Sequence, residues 1–211
     1  MTGPAIRAYS VPVTPERPRG GAPVVSLVIP TRNEANNVQP LVNRVTAALG
    51  ATPVEICFVD DSDDNTGDLL LDLAQSNPSI RALLRQGADR KGGLSTAVVA
   101  GLHMARGQYV CVMDADLQHP PELIPVLLAE AERGADLVVA SRYAPGGSHE
   151  GLGTPVRRLV SREATVVARV LFKEARQSSD PLSGYFLCRR SLIDGIEFRP
   201  VGFKILLELL V

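Results

Sequence analysis

Residues 108–123 read Gln-Tyr-Val-Cys-Val-Met-Asp-Ala-Asp-Leu-Gln-His-Pro-Pro-Glu-Leu. Tyr109–Met113 is a short apolar run of β-forming residues, which predicts a buried strand. The run stops at Asp114, and the Pro120–Pro121 pair with Glu122 behind it then predicts the start of a helix. Because ligands of open α/β sheets bind beyond the carboxyl ends of the strands, this strand end is a candidate site.

The residues that follow the strand carry oxygen ligands only. Asp114 and Asp116 supply two carboxylates, and Gln118 adds an amide oxygen. Such a set suits Mg²⁺ or Mn²⁺, which usually take one or two protein carboxylates together with the phosphates of a substrate. The alternative is a solvated, Asp-rich turn. We predict a metal site at Asp114, Asp116 and Gln118, and for His119 a structural rather than a catalytic role.

Outward from this stretch, apolar runs alternate with segments of helical periodicity. Strands are predicted at Val24–Ile29, Val54–Val59, Ile80–Leu84, Tyr109–Met113 and Leu137–Ala140. Helices are predicted at Asn36–Leu49, Thr66–Ala74, Gly93–Ala105 and Pro121–Arg133. The alternation is typical of an α/β fold with a Rossmann-like, doubly wound and mostly parallel sheet flanked by helices.

Composition limits the classes of protein to which the chain can belong. It has 211 residues, 45% of them apolar, which is enough for one domain, predicted at residues 23–211. A formal net charge of −1 predicts no general affinity for nucleic acid. The three cysteines, Cys57, Cys111 and Cys188, lie far apart in apolar runs, and we expect reduced core residues.

The two ends of the sequence differ in character. Residues 1–22 are rich in Pro, Gly and Arg, which predicts a disordered tail. The last residues, Ile205–Val211, are apolar and end without a cap, so we expect a membrane-associated part to follow in the parent protein. No apolar run reaches the roughly 18 residues needed to cross a bilayer, and the 211-residue chain itself is expected to be soluble.

Two more polar clusters follow predicted strands. Residues 30–34 read Pro-Thr-Arg-Asn-Glu and residues 60–64 read Asp-Asp-Ser-Asp-Asp. Parallel strands bring both clusters to the edge that carries Asp114, where Asp60 or Asp61 could accept hydrogen bonds from a nucleobase or ribose. Lys91, in a Gly-containing turn before a helix, could hold phosphate, although a solvated turn is equally open. The Gly-x-Gly-x-x-Gly and P-loop motifs of dehydrogenases and hydrolases are absent from the sequence.

A further helix is predicted at Val156–Phe172, after a Gly-rich loop at Tyr143–Pro155 that resembles a lid. Arg157 and Ser161 are four residues apart at the edge of its apolar face, so both can point at one target. Other basic residues share the opposite face: Arg158, Arg162, Arg169, Lys173 and Arg176. This basic stripe suits either an anionic membrane surface or plain solvent.

With these residues assembled, the chain resembles the family 2 glycosyltransferases of the GT-A fold. Within that family it is most similar to the polyprenyl- and dolichyl-phosphate mannosyl- and glucosyltransferases. The resemblance runs from about Val24 to Val211. It rests on six motifs, at residues 28–34, 59–62, 114–122, 141–143, 180–185 and 202–204. The segment Asp60–Thr66 is shorter than the usual form, and Tyr185 replaces the usual Phe.

The resemblance implies a role for each motif. Pro30, Arg32 and Glu34 match positions that hold the nucleobase and ribose, with Asp61 nearby. Asp114, Asp116 and Gln118 match the set that bridges a metal to the donor diphosphate. The remaining matches concern phosphate groups and the lipid acceptor: Arg142, Arg157 and Ser161. The implied catalytic residues are Asp116, Arg142 and Arg157.

The implied reaction is the metal-dependent transfer of a hexose, with inversion, to polyprenyl phosphate at the cytoplasmic face of the membrane. Mannose is favoured over glucose, and GDP-mannose or UDP-glucose would be the donor. Three alternatives are a different acceptor, a sugar nucleotidyltransferase, and a silent nucleotide-sugar-binding module of a membrane assembly. The nucleotidyltransferase would need a Gly-rich basic loop after the first strand, and residues 30–34 do not form one. The sequence predicts no oligomeric state.

Overall fold

One sheet of seven strands lies within residues 5–9, 21–141, 180–199 and 205–210, which are the residues that the computed structural model describes. In chain order the strands are β1 (Ala5–Tyr9), β2 (Val25–Thr31), β3 (Val54–Asp60), β4 (Ile80–Leu84), β5 (Tyr109–Val112), β6 (Leu137–Ser141) and β7 (Phe186–Arg189). Their order across the sheet is β1-β6-β7-β5-β2-β3-β4. The strands that precede the three polar clusters, β5, β2 and β3, are therefore neighbours.

The strand directions agree with the predicted fold class. β2 pairs in parallel with β3 and β5, and β3 pairs in parallel with β4. β7 is antiparallel to both β5 and β6, so β6 runs in the same direction as β5. Five strands of the described sheet thus point one way, and β7 and β1 oppose them. The predicted mostly parallel α/β sheet is confirmed.

The helices of the described residues are α1 (Ala35–Leu49), α2 (Thr66–Ser76), α3 (Leu94–Met104), α4 (Ile124–Glu132) and α5 (Ile205–Leu210). Short 3-10 turns lie at Gly87–Arg90, Pro121–Leu123 and Arg190–Leu192. The helix predicted at Pro121–Arg133 is therefore a 3-10 turn followed by α4. None of the described helices has the length and apolar character that a bilayer crossing demands.

Two strands lie where the sequence did not predict them. β7 contains four residues, and so short an apolar run cannot be told from a buried loop without its pairing partners. β1 lies inside the segment predicted as a disordered tail, and its residues pair with Leu137–Ser141 of β6. These five residues differ from the predicted tail, because the open backbone groups of an edge strand can pair with a segment whose composition is typical of disorder.

Both faces of the sheet are covered by helices, which explains the continuous apolar runs in the strands. Along β2, Leu27 and Ile29 belong to the core beneath α1, α2 and α4, whereas Val28 belongs to the core beneath α3 and α5. All three cysteines are buried and free, as predicted for core residues. Burial raises the pKa of the Cys57 and Cys188 thiols to about 12.

Helix α3 lies close against the sheet at Gly101. A Cβ atom at this position would lie 2.3 Å from Val28 Cγ1 and 3.3 Å from Val59 Cγ2. We expect Gly101→Ala to lower the free energy of unfolding by about 1–3 kcal/mol, because overpacking outweighs the gain in helix propensity. Urea denaturation measures this change.

Gly67 of α2 provides a matched comparison for this substitution. A Cβ there would meet the terminal methyl Cδ2 of Leu84 at 2.9 Å, the free end of a side chain that can rotate away. We expect Gly67→Ala to cost less than Gly101→Ala. If Gly101→Ala is as stable as the wild type, the helix–sheet contact described here is wrong.

Candidate active site

The polar clusters that follow β2, β3 and β5 meet at one edge of the sheet. Thr31, at the end of β2, stands opposite Asp60 of β3, and Val28 stands opposite Val112 of β5. The chain therefore leaves all three strands at their carboxyl ends on the same edge. This arrangement forms the crevice at which ligands of open α/β sheets bind.

The segment after β5 folds into a tight turn closed by its own side chains. The backbone N–H of Asp114 donates to Nδ1 of His119 over 3.0 Å, and the N–H of Gln118 donates to Oδ1 of Asp116 over 3.0 Å. Between them Leu117 adopts a left-handed conformation, with φ of 62°. Because Nδ1 of His119 accepts a hydrogen bond, the neutral ring carries its proton on Nε2. His119 holds the turn in shape, which agrees with the structural role predicted for it.

Tyr185 supports this turn from the chain segment that precedes β7. Its ring stacks on the ring of His119, with centroids 5.0 Å apart, and its hydroxyl donates to the carbonyl oxygen of Pro120 over 2.8 Å. Burial raises the pKa of the Tyr185 hydroxyl well above its usual value, so the group stays a donor. Beside it, a Cβ on Gly184 would lie 3.2 Å from Oδ2 of Asp114. Glycine at this position therefore leaves room beside the carboxylate.

A surface ion pair ties the same turn to α1. Arg44 donates to both carboxylate oxygens of Glu122, from Nε over 2.9 Å and from Nη2 over 2.7 Å. These hydrogen bonds lower the pKa of the Glu122 carboxyl below its usual value. The turn that carries Asp114 and Asp116 is thus fixed at its far end as well.

The donor set fits a hard divalent cation that shares its ligands with a substrate. Asp114 and Asp116 leave the sheet at the same edge, and the side chain of Asp114 is 42% exposed. Within the described residues no group of three or more His, Cys, Asp or Glu side chains is arranged to hold a metal. Two carboxylates and the amide of Gln118, each binding through one oxygen, leave three of the six positions of an octahedral ion open, as substrate phosphates require.

Hydrogen bonds join the loop after β2 to the loop after β3. Asn33 adopts a left-handed backbone conformation, with φ of 59°. Its N–H donates to Ser62 Oγ over 2.8 Å, and its side-chain Oδ1 accepts from the N–H of Asp63 over 2.9 Å. Pro30 is buried within β2, whereas the side chain of Arg32 is mostly exposed. Nη2 of Arg32 lies 3.9 Å from Oδ2 of Asp63. Glu34 accepts a hydrogen bond from Asn37 over 2.6 Å. The exposed guanidinium of Arg32 is thus available at the crevice.

Asp60 and Asp61 have different surroundings. Asp60 Oδ1 accepts hydrogen bonds from the hydroxyls of Thr31, over 2.7 Å, and Ser62, over 2.6 Å. Asp61 is instead paired with the guanidinium of Arg85, from Nε over 2.8 Å and from Nη2 over 2.5 Å. Asp60 therefore shapes the loop, and Asp61 holds a buried partner that the sequence analysis did not anticipate.

Side-chain contacts also hold the turns that precede α2 and α3. The N-cap position of α2 is Asn65, whose side chain makes no capping hydrogen bond, and Oδ1 of Asp64 accepts from the N–H of Thr66 over 3.0 Å. Arg90 binds within the protein, donating to the carbonyl oxygens of Arg85, over 2.9 Å, and Ser62, over 2.5 Å. Its guanidinium also lowers the pKa of the Asp63 carboxyl. Of the basic pair, Lys91 is the exposed member that can face a phosphate.

Several predicted residues lie outside the described residues. They are Arg142, Arg157 and Ser161, together with the loop Tyr143–Pro155 and the helix Val156–Phe172. Asp180 is described and fully buried, and its carbonyl oxygen accepts the N–H of Ser183 over 3.1 Å.

Comparison with known proteins identifies the family. Residues 26–196 match the sequence profile described as glycosyl transferase family 2. The chain belongs to this family. The prediction made from its motifs is confirmed.

Two curated relatives are similar in sequence to most of this chain. It is 40% identical over 188 residues to the dolichol-phosphate mannosyltransferase of Pyrococcus furiosus, a match that covers 89% of this chain and 52% of the relative. It is 36% identical over 192 residues to the dolichol-phosphate mannosyltransferase of Saccharomyces cerevisiae, covering 88% of this chain and 69% of the relative. The chain thus spans about half to two thirds of the length of these proteins.

Solved structures support the fold. Glucosyl-3-phosphoglycerate synthase of Mycobacterium tuberculosis, solved with Mn²⁺, UDP and glucosyl-3-phosphoglycerate, superimposes with a TM-score of 0.65 at 21% identity, covering 97% of this chain and 72% of that one. Mannosyl-3-phosphoglycerate synthase of Rubrobacter xylanophilus gives a TM-score of 0.58 at 24% identity, covering 80% of this chain and 54% of that one. The predicted GT-A fold is confirmed.

Proposed function

We propose that this chain is the catalytic domain of an inverting glycosyltransferase that moves a hexose, mannose before glucose, from a nucleotide sugar to a polyprenyl phosphate. The observation that carries the proposal is the turn of Asp114, Asp116 and Gln118, which leaves β5 at the sheet edge shared with β2 and β3. The names of the relatives at 36–40% identity support the acceptor class and the preference for mannose.

Asp114, Asp116 and Gln118 would hold Mg²⁺ or Mn²⁺ at this edge. A divalent ion bound there supplies Lewis-acid stabilisation of the diphosphate that leaves the sugar. The chain's own contribution is to orient the Asp116 carboxylate through the N–H of Gln118 and to hold the backbone of Asp114 through His119 before substrate binds. The Mn²⁺ in a solved protein of the same fold supports this assignment.

The nucleoside half of the donor would lie along the ends of β2 and β3. Pro30, Arg32 and Glu34 would contact the base and ribose, with Asp61 beside them. Lys91, exposed in the turn before α3, would contact phosphate. These contacts use the loops that Asn33 and Ser62 bind to each other, so the nucleotide meets a preorganised surface.

The acceptor side would need cations rather than a strong general base. A phosphate monoester is already ionised near neutral pH, so its oxygen can attack without losing a proton to the protein. Arg142 and Arg157 would supply positive charge around the two phosphate groups, and Ser161 would add a hydrogen bond to the acceptor. The engagement of His119 Nδ1 in the fold is consistent with a mechanism that uses no histidine base.

The acceptor is a membrane lipid, so the reaction would take place at a membrane surface, on its cytoplasmic side. The basic stripe predicted on residues 156–176 would contribute about 1 kcal/mol for each Lys or Arg near anionic lipid.

A transfer assay tests the proposal. The purified protein is incubated with Mn²⁺ and radiolabelled GDP-mannose or UDP-glucose, and with polyprenyl phosphate in detergent or 3-phosphoglycerate as acceptor. We expect label in the organic extract with GDP-mannose and polyprenyl phosphate, in a β-linked product from the α-linked donor. Label only on phosphoglycerate would contradict the proposed acceptor, and no transfer to either acceptor would contradict the proposed activity.

A further inference from the structure

Arg85 has no part in the roles assigned so far, yet it is bound directly to a nucleotide-site residue. It is the first residue after β4, and its N–H donates to the carbonyl oxygen of Asp60 over 2.8 Å. Its guanidinium meets the carboxylate of Asp61 with two hydrogen bonds, Nε to Oδ1 over 2.8 Å and Nη2 to Oδ2 over 2.5 Å. The side chains of Arg85 and Asp61 are only 6% and 10% exposed. A two-point contact of this kind fixes the plane of the carboxylate.

The other donors of Arg85 attach the pair to the start of α3. Nη2 also donates to the carbonyl oxygen of Gly93 over 3.0 Å, and Nη1 donates to Thr96 Oγ1 over 2.9 Å. Thr96 Oγ1 lies 2.9 Å from the carbonyl oxygen of Lys91 as well. Arg85 therefore joins the loop after β3 to the turn before α3, and Asp61 cannot rotate without breaking contacts on both sides.

The fixed carboxylate has a defined hydrogen-bonding character. A carboxylate paired with arginine only accepts hydrogen bonds, and each oxygen keeps one lone pair beyond the bond to Arg85. Guanine and uracil present a ring N–H on the edge that pairs in nucleic acids, whereas adenine and cytosine present an unprotonated ring nitrogen. The first pair of bases complements such a carboxylate, and the second pair places a lone pair against it.

We propose that Arg85 is a positioning residue that sets nucleobase selectivity through Asp61, in favour of bases with a ring N–H. This inference rests on the proposed nucleotide-sugar site. The proposed role requires no contact between Arg85 and the nucleotide. It holds Asp61 as an oriented acceptor, and the selectivity of the site is the property that depends on it.

A second buried ion pair in the sheet provides a control that distinguishes this positioning role from a purely structural one. Arg189 Nε lies 2.9 Å from Asp136 Oδ1, with side chains 7% and 2% exposed, so its burial matches that of the Arg85–Asp61 pair. Arg189 and Asp136 belong to β7 and the turn before β6, at the opposite end of the parallel strands from the crevice. Loss of the Arg189–Asp136 ion pair should change stability without changing base selectivity.

The experiment measures the affinities of GDP, UDP, ADP and CDP in the presence of Mn²⁺ by titration calorimetry. The proteins are the wild type, Arg85→Gln, Arg85→Lys, Asp61→Asn and the control Arg189→Lys, each checked by thermal unfolding. We expect the wild type and the control to prefer GDP over ADP and UDP over CDP by roughly tenfold to a hundredfold, the value of a hydrogen bond to a charged group.

In Arg85→Gln this preference should fall to within about threefold, and Arg85→Lys, which keeps the charge without the fork, should lie between the two. Asp61→Asn should lose the preference with Arg85 intact, because an amide can donate to the ring nitrogens of adenine and cytosine. If Arg85→Gln is folded and keeps the wild-type preference, the inference is overturned. A wild type that binds all four nucleotides equally also overturns it, while leaving the proposed function standing. A wild type that binds none of them overturns both.

Discussion

Asp116→Asn is expected to lower the turnover number for hexose transfer by roughly a thousandfold. The substitution keeps the size of the side chain but removes the negative charge from one of the two carboxylates at the end of β5. Oδ1 of Asp116 already accepts the N–H of Gln118, so the side chain is oriented before any ligand arrives. Loss of charge at an oriented ligand weakens metal binding directly. Initial rates across a Mn²⁺ titration, with saturating donor and acceptor, measure the effect.

The control for this substitution is Asp72→Asn on α2. Asp72 is an exposed carboxylate outside the crevice, so its replacement should leave the rate and the Mn²⁺ dependence unchanged. Binding of the free nucleoside should also survive in Asp116→Asn, because Asp116 is not assigned to the base. If Asp116→Asn keeps a wild-type rate at low Mn²⁺ concentration, the metal assignment is wrong.

Asp136→Ala is expected to lower the free energy of unfolding by about 3–5 kcal/mol, the largest stability change predicted here. The substitution leaves the guanidinium of Arg189 buried without its counter-ion, 2.9 Å from the position of the lost oxygen. Two other contacts hold Arg189 in place, a hydrogen bond from Nη2 to the carbonyl oxygen of Ala131 over 3.0 Å and the ring of Tyr109, whose centroid is 5.4 Å away. The guanidinium therefore cannot rotate into water. Denaturant titration should show the full decrease in the free energy of unfolding.

The neighbouring pair Arg190–Asp194 is a matched control for burial. Its atoms are 3.4 Å apart, but its side chains are 43% and 56% exposed. Exposed pairs contribute less than about 1 kcal/mol, so Asp194→Ala should change stability little. Equal effects of the two substitutions would show that burial does not set the strength of the Asp136–Arg189 contact.

Much of the sheet could be predicted from local patterns. Ile80–Leu84 was predicted at the bounds that the structure has, and Val54–Val59 falls one residue short of β3. These strands are apolar runs between clear turn signals, and helical spacing on either side makes the alternation unambiguous. β7 and β1 were not predicted, because their identity comes from the strands they pair with rather than from their own four or five residues.

The candidate site was predictable where it follows from topology. Parallel strands must end on one edge, so the neighbourhood of residues 31–34, 60–64 and 114–118 followed from the strand assignment. The partners of these residues did not, because they are distant in sequence. Arg85 reaches Asp61 across 24 positions, and Tyr185 reaches Pro120 across 65. Neither contact produces a local sequence pattern. The motif at residues 180–185 indicated that the segment of Tyr185 matters, but not which residue it contacts.

The basic pair Arg90–Lys91 illustrates the same limit. Both residues are cations in the same turn, but the guanidinium of Arg90 donates to the carbonyl oxygens of Arg85 and Ser62 inside the protein. Which of two adjacent cations faces the crevice depends on the loop that packs beside them. That information lies in the tertiary structure.

A crystal of the protein soaked with MnCl₂ and GDP, with anomalous data collected at the manganese edge, tests the central claim most directly. We expect one strong anomalous peak within coordination distance of Asp116, with the diphosphate beside it and the base lying along the ends of β2 and β3. A peak elsewhere, or a diphosphate bound away from the carboxyl end of β5, would contradict it.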